Sequence, residues 1–327
     1  MQLNRETEEI MRQAGAISAG CAALHPVDPL DAETFAKWLD KGHNAGMGYM
    51  ANHRQLRLDP SGLLLESRSI ISLAFGYAPR QQRSAELQQI AQFAYGADYH
   101  DVLRRRLETS VESLKIAFGG DYRICIDSAP LLERYWAEKC GVGSRCDNGL
   151  IAVPRYGTRI LLAEILTSLP LHILSAGTER AGDLSDPASG NASESGKCTH
   201  CGACRRACPA GALQPDSTVD ARRCLSYLTI EHRGEWDETG VEAMRSEAGR
   251  NTLFGCDICQ RVCPLNRYNP PSEIIEFNPS DRILALSAAD VAAMSQEDFS
   301  RTFKGSPIKR SKLAGLMRNA LNSIEDP

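Results

Sequence analysis

Hydrophobic positions recur in the first half of the chain at two spacings, and each spacing predicts one type of element. Apolar residues three or four positions apart predict helices, whereas short uninterrupted apolar runs predict buried strands. The predicted helices are Glu6–Ala14, a helix capped by Asp31, a helix capped by Ser84, a helix following Asp101, and Leu131–Lys139. The predicted strands are Ile70–Phe75, Arg123–Ile126, Leu150–Val153 and Ile160–Leu166. Because strands and helices alternate, residues 1–174 are predicted to form one α/β (α+β) domain.

The turn Asp127-Ser128-Ala129-Pro130 lies where a predicted strand runs directly into a predicted helix. In open α/β sheets, ligands bind at such carboxyl ends of strands. An Asp or Ser shortly before a proline is, however, also a common helix cap. Residue spacing by itself favours the cap and leaves the ligand site open. The same two interpretations apply to the polar and aromatic turn Tyr95–His100, where capping and packing are favoured.

Composition divides the rest of the chain into three parts. Residues 175–197 are rich in Gly, Ser, Ala and acidic residues and are predicted to form a linker loop. Residues 198–270 hold most of the cysteines, and residues 271–327 are predicted to form a helical tail. The tail is basic, with Arg301, Lys304, Lys309, Arg310 and Lys312. Such a surface could contact phosphates at low salt, or it could be an ordinary solvated edge.

Charge and composition exclude several classes of protein. The 327 residues carry a net charge of −4, which excludes a globally basic nucleic-acid binder but allows a local basic patch. No run of about 18 apolar residues is present, so no membrane partner is expected. Residues 1–10 lack the apolar core of an export signal. Twelve cysteines without such a signal predict reduced thiols and a cytoplasmic protein.

Eight of the twelve cysteines lie between Cys198 and Cys263, and seven of these form two short runs with the spacing of ferredoxin cluster ligands. In C-x2-C-x2-C-x3-C-P, three thiolates hold one cluster and the fourth reaches the other cluster. Cys198, Cys201 and Cys204 are therefore predicted to hold one [4Fe-4S] cluster together with Cys263. The second cluster would take Cys208, Cys256 and Cys259, which leaves it one ligand short. Cys224 lies between the runs and is the nearest unassigned candidate.

Structural zinc is the main alternative for these cysteines, because CxxC pairs also bind zinc. Zinc ribbons, however, do not require two three-spaced cysteines that are each followed by proline. Disulfides are less favoured in a chain without an export signal. Cys125, Cys140 and Cys146 lie outside the runs and are interpreted as inert thiols.

Further motifs are distributed over nearly all of the chain. They are Gly46-Met47-Gly48-Tyr49, Asp98-Tyr99-His100, Asp127–Arg134, Asp220–Glu231, Gly255–Gln260, Phe303–Arg310 and Leu316–Asn319. Together with the cysteine runs, they resemble motifs of the epoxyqueuosine reductases. One departure is Ser144–Asn148, where that family usually carries Trp-Ile-Gly-Lys-Asn. Longer members of the family also append helical repeats that follow the region matched here.

The resemblance implies an oxidoreductase that reduces epoxyqueuosine to queuosine at the wobble position of tRNA. It implies cobalamin and two [4Fe-4S] clusters as cofactors, with Cys224 as the missing cluster ligand. It assigns proton donation to Asp127 and places Tyr99 and Arg134 in the cofactor pocket. An external electron donor of the flavodoxin or ferredoxin type is expected, because side chains cannot supply the electrons. To donate at neutral pH, Asp127 is expected to have a raised pKa.

Two other functions are compatible with the cysteine pattern. The first is a plain iron–sulfur electron-transfer protein, whose N-terminal domain would only dock a partner and would bind no corrin. The second is a related corrinoid reductase acting on another substrate, such as a reductive dehalogenase. Dehalogenases usually carry a twin-arginine export signal, which residues 1–6 do not provide. The epoxyqueuosine reductase is therefore the favoured interpretation.

Overall fold

The computed structural model describes residues 1–176 and 196–324. Its strands are β1 (Ser18–Ala23), β2 (Ser69–Gly76), β3 (Gln89–Ile90), β4 (Tyr122–Cys125), β5 (Ser144–Arg145), β6 (Ile151–Ala152), β7 (Ile160–Thr167) and β8 (Thr252–Phe254). The helices of the first part are α1 (Arg5–Gln13), α2 (Pro29–Asp40), α3 (Arg54–Leu58), α4 (Tyr99–Phe118), α5 (Glu133–Lys139) and α6 (Leu171–Leu174). Those of the second part are α7 (Ala203–Ala207), α8 (Leu225–Ile230), α9 (Glu238–Arg245), α10 (Glu247–Arg250), α11 (Ile258–Arg261), α12 (Asp281–Ala285), α13 (Ala288–Ala292), α14 (Gln296–Thr302) and α15 (Lys312–Ile324).

The central sheet has the order β1-β2-β7-β4, and all of its neighbouring strands are antiparallel. Ile71, Leu73 and Phe75 of β2 face α1 and α4. Ile70 and Ala74 face the opposite side, where α5 packs. Burial on both faces explains why apolar residues predominate along this strand, with Ser72 as the exception between Ile70 and Phe75. The sheet is thus the middle of three layers, and its edge strand β4 leads into the turn at Asp127.

Most of the predicted elements of the first domain are present, and the antiparallel sheet makes it the α+β form of the predicted fold. The helix predicted from Ser84 is wrong. Residues 84–87 form a hydrogen-bonded turn, and β3 pairs with β8 in parallel. Ile90 is buried there against Leu253 and Phe254. This tertiary packing overrides the helical spacing of the local sequence.

The structure also places two predicted caps and one predicted helix start differently. Asp28, not Asp31, precedes α2, and Asp31 lies in its first turn. The longest helix, α4, is capped by Asp98, so it begins before Asp101. Leu132 stands at the cap position of α5, so Asp127 does not cap that helix. The interpretation of Asp127 as an ordinary cap is therefore wrong.

The tail helices pack against the first domain and the cysteine segment. Phe299, Phe303, Ile308 and Leu316 are buried in one cluster that also contains residues of β3 and β8. The predicted terminal helix is confirmed as α15. The predicted division at residues 174, 197 and 270 stays a prediction, and most of the predicted linker, residues 177–195, lies outside the described residues.

Candidate functional site

Asp127 lies at the centre of a hydrogen-bonded group on the turn that follows β4. Its backbone has a φ of +52°, a left-handed conformation that Asp tolerates better than most residues. The Tyr99 hydroxyl donates to Asp127 Oδ2 over 2.9 Å. His100 Nε2 lies 3.3 Å from the same oxygen. The turn therefore brings the Asp127 carboxylate into contact with two side chains from the start of α4.

The cap of α4 fixes both of these partners. Asp98 Oδ1 accepts a hydrogen bond from the His100 backbone N–H at 3.1 Å. The same oxygen lies 2.7 Å from His100 Nδ1. The Tyr99 and His100 rings stack with their centroids 4.0 Å apart. The capping aspartate thus also orients the imidazole toward Asp127.

The charges of this group are set by their mutual contacts. Burial opposes the charged form of His100, but hydrogen bonds to Asp127 and Asp98 raise its pKa to about 9. For Asp127, burial favours the neutral acid, yet His100, then Tyr99 and Arg134, hold its pKa below the usual value. The expectation of a raised pKa for Asp127 is therefore wrong for the substrate-free protein. At neutral pH the proton of the pair resides on His100.

Glu133 is a second carboxyl group at the same turn. Its Oε1 accepts a hydrogen bond from the Asp127 backbone N–H. Burial, followed by the negative charge of Asp127, raises the pKa of Glu133 to about 8. Arg134 is the next residue of α5, and it helps to lower the pKa of Asp127. The site thus holds one ionised carboxylate beside a carboxyl group that stays neutral at pH 7.

Residues from three more motifs that are distant in sequence lie near Asp127. Arg310 makes two hydrogen bonds of 2.7 Å to the Glu231 carboxylate, and its guanidinium lies 5.8 Å from the Tyr49 ring centroid. Burial, then Glu231 and Asp127, raise the pKa of Tyr49 to about 12. The Gly46 N–H donates to the Tyr227 hydroxyl over 2.8 Å, and a Cβ at Gly46 would lie 2.6 Å from that oxygen. This contact ties the loop carrying Tyr49 to α8.

The Asp127 site is open to solvent, although protein atoms surround its side chains. The Asp127 side chain keeps 62% of its surface accessible, and Arg134 is exposed. Burial is nevertheless the largest influence on the pKa of Asp127, Arg134 and Tyr99. Protein atoms therefore surround these side chains on most sides, and one side is open to solvent. We call this open side the Asp127 cleft. The cleft and its exposed polar groups fit a corrin and a nucleoside.

The first predicted group of cysteines converges around Cys263. Burial raises the pKa of the Cys263 thiol, and the nearby thiols of Cys204, Cys198 and Cys201 raise it further. Cys201 is exposed, whereas the other three are half-buried. The thiol of Cys263 thus faces the three cysteines of the first run, as the crossing of ligands between runs requires.

The second predicted group lies deeper in the protein. Burial raises the pKa of the Cys259 thiol, and the thiols of Cys256, Cys224 and Cys208 add to that effect. Burial also raises the pKa of the Cys224 thiol. Hydrogen bonds from the backbone N–H groups of Tyr227 and Ser226, at the start of α8, act in the opposite direction and lower that pKa. Such N–H groups stabilise thiolates and cluster sulfurs. Four thiols with backbone donors fit a [4Fe-4S] cluster better than a disulfide.

The second group is connected directly to the turn that carries Tyr99. The Gln92 N–H donates to the Asp257 carboxylate over 2.8 Å, next to Cys256. Phe93 packs edge-on against Tyr99 with centroids 6.2 Å apart, and it lies at the same distance from Phe254. A short stretch of packed side chains thus links the deeper thiol group to the Asp127 site.

Two family models match the chain. One is a 4Fe-4S double cluster binding domain over residues 197–266, and the other is epoxyqueuosine reductase QueG, DUF1730, over residues 57–128. The chain is 36% identical over 292 residues to the epoxyqueuosine reductase of Cyclobacterium marinum, covering 88% of this chain and 86% of that protein. The epoxyqueuosine reductase of Escherichia coli K12 is 35% identical over 289 residues, which are 86% of this chain and 70% of that protein. The chain belongs to the epoxyqueuosine reductase family.

Solved epoxyqueuosine reductases have the same fold. One crystal structure, with an epoxyqueuosine-modified stem loop of a tyrosine tRNA, matches with a TM-score of 0.79 and 25% identity over 98% of this chain and 80% of that chain. The Bacillus subtilis enzyme, with a catalytic loop swung out of its active site, matches with a TM-score of 0.77 and 25% identity, covering 97% and 80%. The predicted family, fold class, enzyme class and activity on epoxyqueuosine are confirmed. The two predicted [4Fe-4S] clusters are confirmed as well, and cobalamin accords with membership of this family.

The divergent loop of this epoxyqueuosine reductase contacts the first thiol group. Asp147 is buried, and its carboxylate lies 2.7 Å from His200 Nδ1. Cys146 packs against Cys198 and Cys263. Burial raises the pKa of Cys125, Cys140 and Cys146, which supports their interpretation as inert thiols. In the described residues, no helix is long and apolar enough to span a bilayer.

Sequence reasoning did not assign a functional role to His100, Glu133, Glu231 or Arg57. His100 and Glu133 lie within motifs that were recognised, so those motifs contained a signal for them. Arg57 lies outside these motifs, and its guanidinium donates to the Tyr49 carbonyl over 3.0 Å. Its burial could be found only from the structure.

Proposed function

We propose that this epoxyqueuosine reductase protonates the departing epoxide oxygen through Asp127, and that His100 supplies the proton to Asp127. The supporting observation is the 3.3 Å separation of His100 Nε2 from Asp127 Oδ2. The pKa of about 9 keeps His100 protonated at neutral pH. A proton donor within hydrogen-bonding reach of a carboxylate can recharge it between steps.

Conversion of the epoxide to an alkene consumes two electrons and two protons and releases water. Bound cobalamin would supply the reducing chemistry at the epoxide carbon. Tyr99 and Arg134 are the side chains proposed to hold it in the cleft, beside Asp127. The protein's own task is then to orient the epoxide and to place a proton where the oxygen departs.

Before the substrate binds, Asp127 is a carboxylate and His100 is protonated, and the proposed proton path starts from this state. A corrin and a nucleoside covering the cleft exclude water, which favours transfer of the proton from His100 Nε2 to Asp127 Oδ2. Asp127 then passes the proton to the epoxide oxygen. The Tyr99 hydroxyl remains protonated because burial and Asp127 raise its pKa, so it holds Oδ2 in place. Glu133, neutral near pH 7, is the nearby source proposed for the second proton.

The two thiol groups define the proposed direction of electron flow. Cys198, Cys201, Cys204 and Cys263 would hold the cluster nearer the surface, because Cys201 is exposed. Cys208, Cys224, Cys256 and Cys259 would hold the cluster beside Gln92 and Phe93. Electrons from an external carrier would therefore enter at the first cluster and leave from the second toward the Asp127 cleft.

The basic tail is proposed to contact the tRNA. Lys304 and Lys309 are exposed. Lys304 precedes the 3-10 turn Pro307–Ser311 that carries Arg310 to the cleft, and Lys309 lies within it. Positive charges at this edge would meet phosphates on both sides of a nucleotide inserted toward Asp127. Location in the cytoplasm stays a prediction that rests on the tRNA substrate.

An anaerobic assay of the reconstituted protein tests this function. The protein, loaded with iron, sulfide and cobalamin, is given epoxyqueuosine-containing tRNA and a strong chemical reductant. Mass analysis of digested tRNA should detect queuosine, with the oxygen lost as water. Iron uptake without cobalamin binding, and no queuosine, would instead favour a plain electron-transfer protein.

A further inference from the structure

Two stretches that carry six of the eight predicted cluster cysteines form a positively charged region in a chain of net charge −4. Residues 197–215 and 258–272 contain no Asp or Glu, although they include five Lys and Arg residues. Their helices α7 and α11 are in contact with each other. Local charge and overall charge therefore have opposite signs at the exposed end of the proposed electron path.

Three arginines of this region are exposed, and the described residues place no carboxylate within 4.0 Å of them. Arg206 donates to the Cys201 carbonyl over 3.0 Å. Arg261 donates to the Gln89 side chain over 3.4 Å. The Arg267 guanidinium lies 5.8 Å from the Tyr268 ring centroid. Each guanidinium is positioned by a neutral partner and keeps its charge available to another molecule.

Apolar side chains are exposed among these arginines. Tyr268 has 75% of its surface accessible and Val262 has 42%. Val262 adjoins Cys263, so this exposed surface lies beside the first thiol group. Arginine and tyrosine are enriched in the centres of protein interfaces. We call the surface formed by Cys201, Arg206, Arg261, Val262, Arg267 and Tyr268 the cluster face.

We infer that the cluster face docks a small acidic carrier protein that delivers one electron at each encounter. The inference rests on the proposed direction of electron flow. In each encounter the reduced carrier loses one electron and the first cluster gains it. Two encounters therefore provide the two electrons that the epoxide consumes together with two protons. Opposite charges accelerate such transient docking and orient the partners.

Position favours a carrier protein over RNA at this face. An electron carrier must approach the first cluster closely, and the cluster face contains its exposed predicted ligand Cys201. The basic edge at Lys304 and Lys309 lies instead beside the Asp127 cleft, where a modified nucleotide must enter. RNA binding at the cluster face remains an outcome that the test distinguishes.

The test measures reduction of the clusters by flavodoxin hydroquinone in an anaerobic stopped-flow experiment. The variant is Arg206→Glu/Arg261→Glu/Arg267→Glu, and the matched control is Arg245→Glu/Arg282→Glu, two exposed arginines outside the cluster segments. At low salt the variant should lose about tenfold or more in second-order rate constant, and the control should lose little. The wild-type rate should fall as salt is raised, and this dependence should be weaker in the variant.

Reduction by dithionite separates docking from damage to the clusters. Iron content and the dithionite rate should be unchanged in the variant. Should charge reversal reduce the iron content, the milder Arg206→Gln/Arg267→Gln protein provides the same comparison. Equal flavodoxin rates in wild type and variant, or a wild-type rate insensitive to salt, would overturn the inference. So would a variant whose only defect is weaker tRNA binding in the dithionite-driven assay.

The same dithionite assay distinguishes this inference from the proposed function. Wild-type protein that makes no queuosine with dithionite contradicts the function, whatever the flavodoxin rates are. Wild-type protein that makes queuosine with dithionite, combined with equal flavodoxin rates in both proteins, contradicts only the docking surface.

Discussion

His100 Nε2 lies 3.3 Å from Asp127 Oδ2, while Nδ1 of the same ring lies 2.7 Å from Asp98 Oδ1. The imidazole therefore bridges the aspartate that caps α4 and the aspartate of the reactive turn. This position keeps His100 charged and Asp127 ionised in the substrate-free protein. A proton is thus held on His100, one hydrogen bond away from the residue that is proposed to deliver it to the epoxide.

The pH dependence of the reaction should report the protonation of His100. Because its pKa is about 9, the single-turnover rate should be level near neutrality and should fall as the pH rises through about 9. In the His100→Gln variant, glutamine is polar and similar in size to histidine, but it has no proton that it can transfer to Asp127. We expect roughly a tenfold to hundredfold lower rate and loss of the fall near pH 9, whereas a fall near pH 8 that arises from Glu133 should remain. The exposed His172→Gln variant is the control, and an unchanged profile in His100→Gln would exclude His100 as the proton store.

His100 should also make stability depend on pH. Its folded pKa is raised from 6.5 to about 9, so its stabilising contribution is complete below pH 6.5 and disappears as pH rises through 9. The difference in urea midpoint between wild type and His100→Gln should therefore shrink on going from pH 6 to pH 10. A difference that grows over this range would show that the imidazole is neutral in the folded protein.

Cys224 should be required for one cluster only. Cys224→Ser should lower bound iron from about eight to about four atoms per chain, because one [4Fe-4S] cluster loses a thiolate. Cys146→Ser removes a thiol that packs beside the first group and should retain all the iron. Iron analysis and electron paramagnetic resonance check both variants. Full iron content in Cys224→Ser would mean that another group completes the second cluster.

Binding of tRNA should depend on Lys304 and Lys309. Arg310 is a less suitable probe, because its removal would also release the Glu231 carboxylate. Lys304→Ala/Lys309→Ala should weaken binding and reduce the slope of log K against log salt by about 2. Arg245→Ala/Arg282→Ala is the charge-matched control. An unaltered slope in the lysine variant would place the phosphate contacts elsewhere.

The cysteine groups and the strands of the sheet could be predicted from the sequence because their signals are local. Ligand spacing identified the first group, and short runs that are mostly apolar identified β2 and β7. The segment from Ser84 failed because its helical spacing was outweighed by pairing with β8, which is distant in sequence. The lowered pKa of Asp127 could not be predicted from the sequence either, because it depends on the contacts that His100 and Tyr99 make with Asp127 across the turn. Such contacts are created by the fold and leave no periodic pattern in the sequence.

The most direct test of the account is a single-turnover assay of Asp127→Asn. Asparagine fills the same space and accepts the Tyr99 hydrogen bond, but it cannot carry a proton to the epoxide oxygen. We expect iron and cobalamin contents equal to those of wild type and a rate of queuosine formation lower by about 10²- to 10⁴-fold. Asp121→Asn, an exposed aspartate before β4, should react at the wild-type rate. Wild-type turnover in Asp127→Asn with both cofactors bound would contradict proton delivery by Asp127.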